Sequence, residues 1–360
     1  MQRSEVPRRQ APGAVGAGAE HGARDGFGGA GSAVRLAALL STPGPSAAVA
    51  VSAESVDAVQ VAWTGDGPAI TGRAHGRLRP GIVTPGVTGT NVSDAAAVAE
   101  VLGNVLERLP RRPSRVALVV PDRAAKVSIL RFDTLPSRAG DLDALVRWRA
   151  AGTAPFAIDE AQVSYTAGTA VGDEGRELVV AVMHREVVET YERVCTLAGA
   201  HAGVVDLAGF NLINAVLATV PDTSAGDWLL VHAADGGSTL AIVRRGALVF
   251  YRNRAADGTG GLGDLVHQTA MYYEDRLDGR GFRRAVLAGE PRLEAAGAGG
   301  AASRRSIEAR LGTDLEWLGA VLGPGVTDGT GADRTALDVL AAPIGILLRG
   351  ERRALPGAAS

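Results

Sequence analysis

Asp227-Trp-Leu-Leu-Val-His-Ala-Ala-Asp-Gly-Gly-Ser-Thr-Leu-Ala-Ile-Val-Arg-Arg-Gly-Ala-Leu-Val-Phe-Tyr-Arg-Asn253 is the stretch that decides the fold. Apolar runs at 228–232, 240–243 and 248–251 predict three short strands separated by glycine-containing turns. In the first turn, Asp235-Gly-Gly237, glycine permits positive φ and a close approach of the backbone. Such a strand–turn–strand unit is either a plain β-meander or a concavity whose backbone N–H groups suit an anion such as phosphate.

Working outward from this stretch, the chain divides into two halves with the same order of elements. Residues 228–348 predict three strands, then a helix, a strand, a helix, a strand and a helix. Residues 46–219 predict the same order once residues 121–183 are set aside as an insertion. This order is that of a duplicated ribonuclease-H-like fold. The sequence therefore predicts an actin-like α/β protein in which the first turn of each half points into a shared cleft.

The predicted boundaries follow from this division and from composition. Residues 1–45, rich in glycine and alanine, predict a disordered tail, and residues 350–360 predict a loose C-terminus. The first half is placed at 46–220, with the insertion as a small strand–helix–strand–strand subdomain, and the second half at 221–349.

Three local predictions are specific enough to test. Ser93 is expected to cap a helix over 94–109, and Ser303 is expected to cap a helix after a Gly/Ala loop at 295–302. Within the insertion, Trp148 and Phe156 are expected in the core of the small subdomain, because they flank its helix and its proline-containing turn.

Composition excludes several classes of function. A formal net charge of −2 argues against general affinity for nucleic acid, and no apolar run approaches the ~20 residues that cross a bilayer. Cys195 is the only cysteine and Lys126 the only lysine, which excludes an internal disulfide and a Walker A phosphate loop. The six histidines show no ligand spacing, and no nucleophile motif is present. No catalytic residue and no metal site is therefore predicted.

Six segments carry a resemblance to a known family. They are Val116-Ala-Leu-Val-Val-Pro-Asp122, Val127-Ser-Ile-Leu-Arg-Phe-Asp-Thr-Leu-Pro136, Leu145-Val-Arg-Trp-Arg149, Pro155-Phe-Ala-Ile-Asp159, Leu178-Val-Val-Ala-Val-Met-His-Arg-Glu-Val-Val-Glu189 and Thr239-Leu-Ala-Ile-Val-Arg-Arg-Gly-Ala-Leu-Val-Phe-Tyr-Arg252. Over residues 46–320 the chain resembles the PilM family, actin-like cytoplasmic proteins of type IV pilus assembly. The resemblance implies a cleft for ATP and docking of a short N-terminal peptide from a single-span membrane partner, PilN.

The nucleotide site implied by this resemblance is weakened in three loops. The first loop, Ser52-Ala-Glu-Ser55, has no glycine, and Glu54 would repel a phosphate. In the second, the family's metal-facing aspartate falls at His232, and the third is reduced to Ala288-Gly-Glu-Pro291. The alternatives left for a cofactor are ATP with Mg²⁺, or none. The candidate binding residues are Asp235, Gly236, Gly237, Ser238, Thr239 and Gly289.

Two functions remain open. The first is a non-enzymatic or barely active cytoplasmic scaffold at the inner membrane, with a degenerate nucleotide site, which binds the tail of a PilN-like protein beside the insertion and contacts other pilus platform proteins. The alternative is an active ATPase or kinase of the actin superfamily, with Asp235, Ser238 and Thr239 holding phosphate and Mg²⁺. That alternative needs an acidic residue facing the cleft from each half, and the first half is expected to offer only Glu54 or Asp57. The insertion keeps its pattern while the three loops have drifted, which favours the scaffold. Neither contact with nucleic acid nor direct insertion into the membrane is predicted.

Overall fold

The structure is a computed structural model that describes residues 44–65, 67–171, 175–220, 226–234, 236–255, 261–289 and 298–352. Several parts of the sequence interpretation lie outside these residues: the tail up to residue 43, residues 221–225 at the start of the second half, Asp235, Glu290 and Pro291 of the third loop, residues 295–297 of the predicted Gly/Ala loop, and the C-terminus from residue 353.

The described chain contains fourteen strands and eight α-helices. The strands are β1 (Ala47–Val51), β2 (Ser55–Thr64), β3 (Gly67–Arg77), β4 (Arg115–Val120), β5 (Ala125–Phe132), β6 (Ala161–Val171), β7 (Gly175–His184), β8 (His201–Leu207), β9 (Asp227–Ala234), β10 (Gly237–Arg244), β11 (Ala247–Ala255), β12 (Arg284–Ala288), β13 (Leu315–Trp317) and β14 (Thr327–Asp328). The helices are α1 (Ala95–Glu107), α2 (Ala139–Ala151), α3 (Arg185–Leu197), α4 (Ala208–Thr219), α5 (Leu262–Arg276), α6 (Ala298–Leu311), α7 (Leu318–Leu322) and α8 (Arg334–Arg352). Short 3₁₀ turns are Asp122–Ala124, Ile158–Glu160 and Gly323–Gly325.

Two sheets repeat one topology. The first sheet has the order β14-β3-β2-β1-β4-β8, and the second has the order β11-β10-β9-β12-β13. In each sheet an antiparallel meander of three strands is followed by parallel pairing, of β4 with β1 in one case and of β12 with β9 in the other. The predicted duplicated ribonuclease-H-like, actin-like fold is confirmed. The short strand β14 comes from the second half of the sequence and joins the first sheet beside β3.

One apolar core lies between the two sheets and joins them. It combines Val119 of the first sheet, Val216 of α4, Ile344 of α8 and Leu230 of the second sheet, all buried. The helices α4 and α8 approach so closely that a Cβ on Gly345 would lie 1.8 Å from the backbone oxygen of Asn211. The backbones of the two helices thus touch in the space between the halves.

The insertion forms a small three-stranded sheet, in the order β5-β7-β6, covered by α2. The prediction that Trp148 lies in its core is wrong, since this side chain is 70% exposed. Val146 and Ala150 occupy the buried face of α2 instead. Two residues turn a helix by roughly 200°, so Trp148 faces away from the sheet. Phe156 is half-buried and packs edge-on against His184, with 4.9 Å between ring centroids.

Two predicted helix starts also differ from the structure. The helix α1 is capped by Asp94, whose Oδ1 accepts from the Ala97 N–H at 3.0 Å, whereas the Ser93 hydroxyl donates to the Ile82 carbonyl. The helix α6 begins at Ala298, so the expected loop is helical over 298–302. The helix therefore begins more than a turn before the serine that was expected to cap it, although this segment includes Gly299 and Gly300, which are poor helix formers. None of the helices in the described ranges is both long and apolar enough to cross a membrane.

Candidate functional site

A buried carboxylate lies at the point where the first half of the chain meets the second. Asp122 lies two residues after the end of β4, in the turn Asp122–Ala124, and its side chain is 2% exposed. Its Oδ1 accepts from the Gly209 N–H in the first turn of α4 at 2.7 Å. Its Oδ2 accepts from the Thr239 hydroxyl of β10 at 2.7 Å, across 117 residues of sequence. Both oxygens are therefore engaged, one of them by the second half.

The second half presents a row of polar side chains to this carboxylate. Thr239 pairs with His232 of β9 on one side and with Asn253 of β11 on the other, so the three side chains share one face of the sheet. Asn253 Nδ2 donates to the Thr239 hydroxyl at 3.0 Å. His232 Nδ1 lies 3.5 Å from Asp122 Oδ2, which is an ion-pair distance and too long for a strong hydrogen bond.

The surroundings keep Asp122 charged. Burial pushes the pKa of this carboxyl up, but the His232 imidazole and the hydrogen bonds from Gly209 and Thr239 outweigh that effect and lower the pKa below its ordinary value. The phenol of Tyr251 is affected in the opposite direction, because burial and the neighbouring Asp122 charge raise its pKa well above the usual range.

A second carboxylate from the first half lies close by. Asp206 is the second-to-last residue of β8 and forms an ion pair with Arg349 of α8. Burial is the largest effect on this group and raises its pKa, although Arg349 and the Leu207 N–H oppose that rise.

The expectation that the first half offers only Glu54 or Asp57 to the cleft is wrong. Asp57 instead accepts from the Ser55 hydroxyl and pairs with His75, within the first sheet. The acidic residues that reach the second half are Asp122, which bonds to Thr239, and Asp206, which pairs with Arg349, and the sequence analysis identified neither as a site residue. Each stands at the carboxyl end of a parallel strand, which is the edge where α/β sheets place functional side chains, and that signal was available.

The first predicted phosphate loop is closed by its own serine. The Ser52 hydroxyl accepts from the N–H groups of Glu54, at 3.2 Å, and Ser55, at 2.9 Å. The Ser52 N–H in turn donates to the Ser55 carbonyl at 2.8 Å. Three backbone N–H groups of this turn are thereby occupied within the turn itself.

The structure brings the described candidate residues of the second and third loops together, at the ends of β9 and β12. Gly236 has a φ of +70°, and its carbonyl accepts from Arg123 Nη1 at 2.9 Å. Gly237 is buried, Ser238 is half-buried and Thr239 is fully buried with its hydroxyl engaged.

The third loop lies directly beside the second. Gly289 has a φ of +98°, and its N–H donates to Asp338 Oδ2 of α8 at 2.8 Å. A Cβ at this position would lie 2.2 Å from the Ala233 carbonyl, at the end of β9. Whether these residues hold a nucleotide stays a prediction. Across the described ranges, no group of three or more His, Cys, Asp or Glu side chains is arranged to hold a metal ion.

Comparison with known proteins gives one matching family and several similar structures. The profile of the family described as type IV pilus assembly protein PilM matches residues 48–276. A chain solved as the PilM–PilN type IV pilus biogenesis complex has a TM-score of 0.70 at 17% identity, covering 85% of this chain and 98% of that one.

Two further structures are similar at lower scores. The cytoplasmic domain of EpsL, an inner-membrane component of the type II secretion system of Vibrio cholerae, has a TM-score of 0.44 at 9% identity and covers 82% of this chain and 93% of that one. A Bacteroides thetaiotaomicron protein with an actin-like ATPase fold and unknown function has a TM-score of 0.46 at 8% identity, with 83% and 95% covered. The comparison with curated proteins returns no match.

Proposed function

This chain belongs to the family of the type IV pilus assembly protein PilM, and from that premise we propose that it is a non-enzymatic scaffold of pilus assembly. Its task in this proposal is to bind the N-terminal cytoplasmic tail of a PilN-like membrane protein beside the small sheet. The observation that carries the proposal is the likeness to the chain solved as a PilM–PilN complex, which covers 85% of this chain and 98% of that one.

A rigid junction between the small sheet and the first half supports this proposal. Ala125 of β5 and Met183 of β7 are buried in the core of the first half, so both strands are anchored at their base. Arg185 donates to the Asp159 carbonyl at 3.0 Å and ties the start of α3 to the turn that precedes β6. A surface that is already ordered loses less conformational entropy when an extended peptide binds to it.

The state of the three loops supports binding without nucleotide. In the first loop, the N–H groups that would be expected to surround a phosphate are engaged by Ser52. In the third loop, where the family resemblance implies adenosine, the Gly289 N–H is engaged by Asp338. In the second loop, the Thr239 hydroxyl is engaged by Asp122. These residues fit ATP and Mg²⁺ poorly, because a ligand would have to displace hydrogen bonds that the protein already makes.

The ATPase or kinase alternative makes a different demand on the same residues. Asp122 carries charge at the cleft, but its side chain is 2% exposed and both of its oxygens are bonded. An enzyme that uses Asp122 would first have to expose this side chain to solvent.

For the scaffold we propose a cytoplasmic position, peripheral to the inner membrane through its partner, together with contacts to other platform proteins.

Calorimetric titration with a synthetic peptide from the N-terminus of the PilN-like partner tests the proposal. We expect micromolar affinity, about −8 kcal/mol, and the same affinity with and without Mg-ATP. Binding that strictly requires ATP would restore the nucleotide-switch alternative. Absence of binding at 100-fold higher peptide concentration would remove the partner from the proposal.

The single lysine reports where the peptide lies. Lys126 is exposed and is the second residue of β5, at the junction of the small sheet with the first half. Deleting the insertion, residues 121–183, would also remove Asp122 and the buried Ala125 and so disturb the first half. Labelling of Lys126 locates the peptide without this disturbance. We expect saturating peptide to slow acylation of Lys126, measured by peptide mass spectrometry. Lys126→Arg is the matched control, since it keeps the charge and the affinity but loses the label. Unchanged acylation at saturation would place the peptide elsewhere.

A further inference from the structure

Two consecutive residues of one turn reach from the first half to the second. Asp122 accepts from the Thr239 hydroxyl, and Arg123 donates to the Gly236 carbonyl at 2.9 Å. The turn that carries them is fixed from the other side by the Gly209 N–H, which donates to Asp122. The short connection after β4 is therefore bonded at once to α4, to the start of β10 and to the turn before it.

Because the Asp122 carboxylate is buried, its charge is stabilised only while the two halves stay in contact at this turn. An ionised carboxylate held away from water is costly unless its partners are in place, and removal of one partner leaves an uncompensated charge. Asp122 keeps its partners only while β9 and β10 stay against the turn, since Thr239 and His232 belong to those strands. Separating the halves breaks the contacts with Thr239 and His232 together.

The charged and titratable groups around the turn come from several elements. Asp206 of β8 is paired with Arg349 of α8, His232 of β9 faces Asp122, and Tyr251 of β11 lies within the same buried region. A Cβ on Gly209 would lie 2.8 Å from the Tyr251 hydroxyl and 2.9 Å from an oxygen of Asp122, so the space between the halves is filled at this point.

We propose that Asp122 and Arg123, with Gly236, Thr239 and His232 as their partners, form a latch that holds the two halves in one relative position without nucleotide. The latch places protein hydrogen bonds at the turn where the family resemblance implies a nucleotide. It does not depend on which partner the small sheet binds, so this inference and the proposed scaffold function can fail separately.

Hydrogen exchange of the purified full chain tests the latch through a matched pair of variants. Thr239→Val keeps the size of the side chain and removes the donor to Asp122. Thr269→Val is the control, because Thr269 is also fully buried but its hydroxyl donates to Leu265 within α5. We expect Thr239→Val to accelerate amide exchange about 10-fold in segments 207–212 and 229–234, on the two sides of the latch, and Thr269→Val to leave both unchanged.

The same experiment contains the results that would overturn the latch. The latch is wrong if amide exchange in both segments is the same in Thr239→Val as in the wild type. It is also wrong if Mg-ATP slows exchange in these segments of the wild type, because nucleotide would then hold the two halves together. If Thr239→Val does not fold, Arg123→Gln, whose side chain is half-buried at the surface, replaces it. We expect Arg123→Gln to accelerate amide exchange in segment 229–234, and exchange equal to that of the wild type would count against the latch.

Discussion

The β1–β2 turn and the β9–β10 turn occupy the same place in two copies of one topology, yet they are closed in different ways. The first is closed locally, by the Ser52 hydroxyl and the backbone of Ser55. The second is closed from outside, by Arg123 of the first half, and the strand that leaves it is bonded to Asp122. A shared topology thus fixes where a turn lies but not which residues occupy its hydrogen-bonding groups.

The two turns also differ in the charges around them. The first carries the exposed Glu54, whose charge repels an anion, and its N–H groups are engaged. The second is bonded to the buried Asp122 network, whose negative charge is already compensated by protein groups. The first turn should therefore be sensitive only to changes within itself, whereas the second should respond to changes in neighbouring elements.

The largest expected effect comes from forcing the neighbours of the second turn apart at Gly289. Gly289→Ala places a methyl group against the Ala233 carbonyl at a positive φ, and we expect a loss of about 2–4 kcal/mol in the free energy of unfolding. Gly281→Ala is the matched control, with a φ of +93° and open space around it, and should cost about 1 kcal/mol. Urea unfolding measures both. Equal losses in the two variants would mean that the close packing of Gly289 against Ala233 contributes nothing to the free energy of unfolding.

The predictable parts of the fold are those indicated by short-range sequence patterns, that is, apolar runs and helical periodicity. The strand Arg115–Val120, for example, contains a continuous apolar run from Val116 to Val120, which is typical of a buried strand. The repeated order of elements needed only such runs and helical periodicities, because they record which faces are buried. The position of Trp148 was not predictable from its place beside the proline-containing turn, because that place does not fix which face of α2 the side chain occupies, and Val146 and Ala150 occupy the face toward the sheet.

The candidate site was less predictable because its bonds join distant parts of the chain. Asp122 and Thr239 are 117 positions apart, and no local pattern pairs them. His232 was noticed only as a departure from the family pattern, and its position beside Asp122 depends on the register of β9 with β10. Side-chain pairing across two sheets follows from how the sheets pack, which strand periodicity does not encode.

An intermediate effect is expected from opening the first turn at Ser52. Ser52→Ala removes the acceptor for two backbone N–H groups, and we expect a loss of about 1 kcal/mol. The exposed Ser164 on β6 provides a control, and its change to alanine should stay within about 0.5 kcal/mol. Ser52→Ala combined with Thr239→Val should give additive losses in urea unfolding, within about 0.5 kcal/mol. A larger coupling would show that the two turns are not independent.

The smallest expected effect is a pH dependence that separates the two turns. Beside the first turn, His75 Nδ1 lies 2.7 Å from Asp57 Oδ1, and this hydrogen bond raises the pKa of His75 against the opposing effects of burial and of Arg77 and Arg108. Because the folded pKa is raised, this pair stabilises the protein fully below the ordinary histidine pKa, and the stability is lost as the pH rises through the folded value.

His75→Gln should therefore cost more stability at about pH 6 than at about pH 9. The difference should stay below about 0.5 kcal/mol, since the histidine side chain is 56% exposed and solvent screens the pair. The second turn behaves in the opposite way: the lowered pKa of Asp122 gives stability that is present above the ordinary aspartate range and lost as the pH falls through the folded value. Urea unfolding of wild type and His75→Gln at both pH values measures the first effect, and Asp57→Asn should abolish it. A stability difference between wild type and His75→Gln that is flat from pH 6 to pH 9 would show that the His75–Asp57 pair contributes no pH-dependent stability beside the first turn.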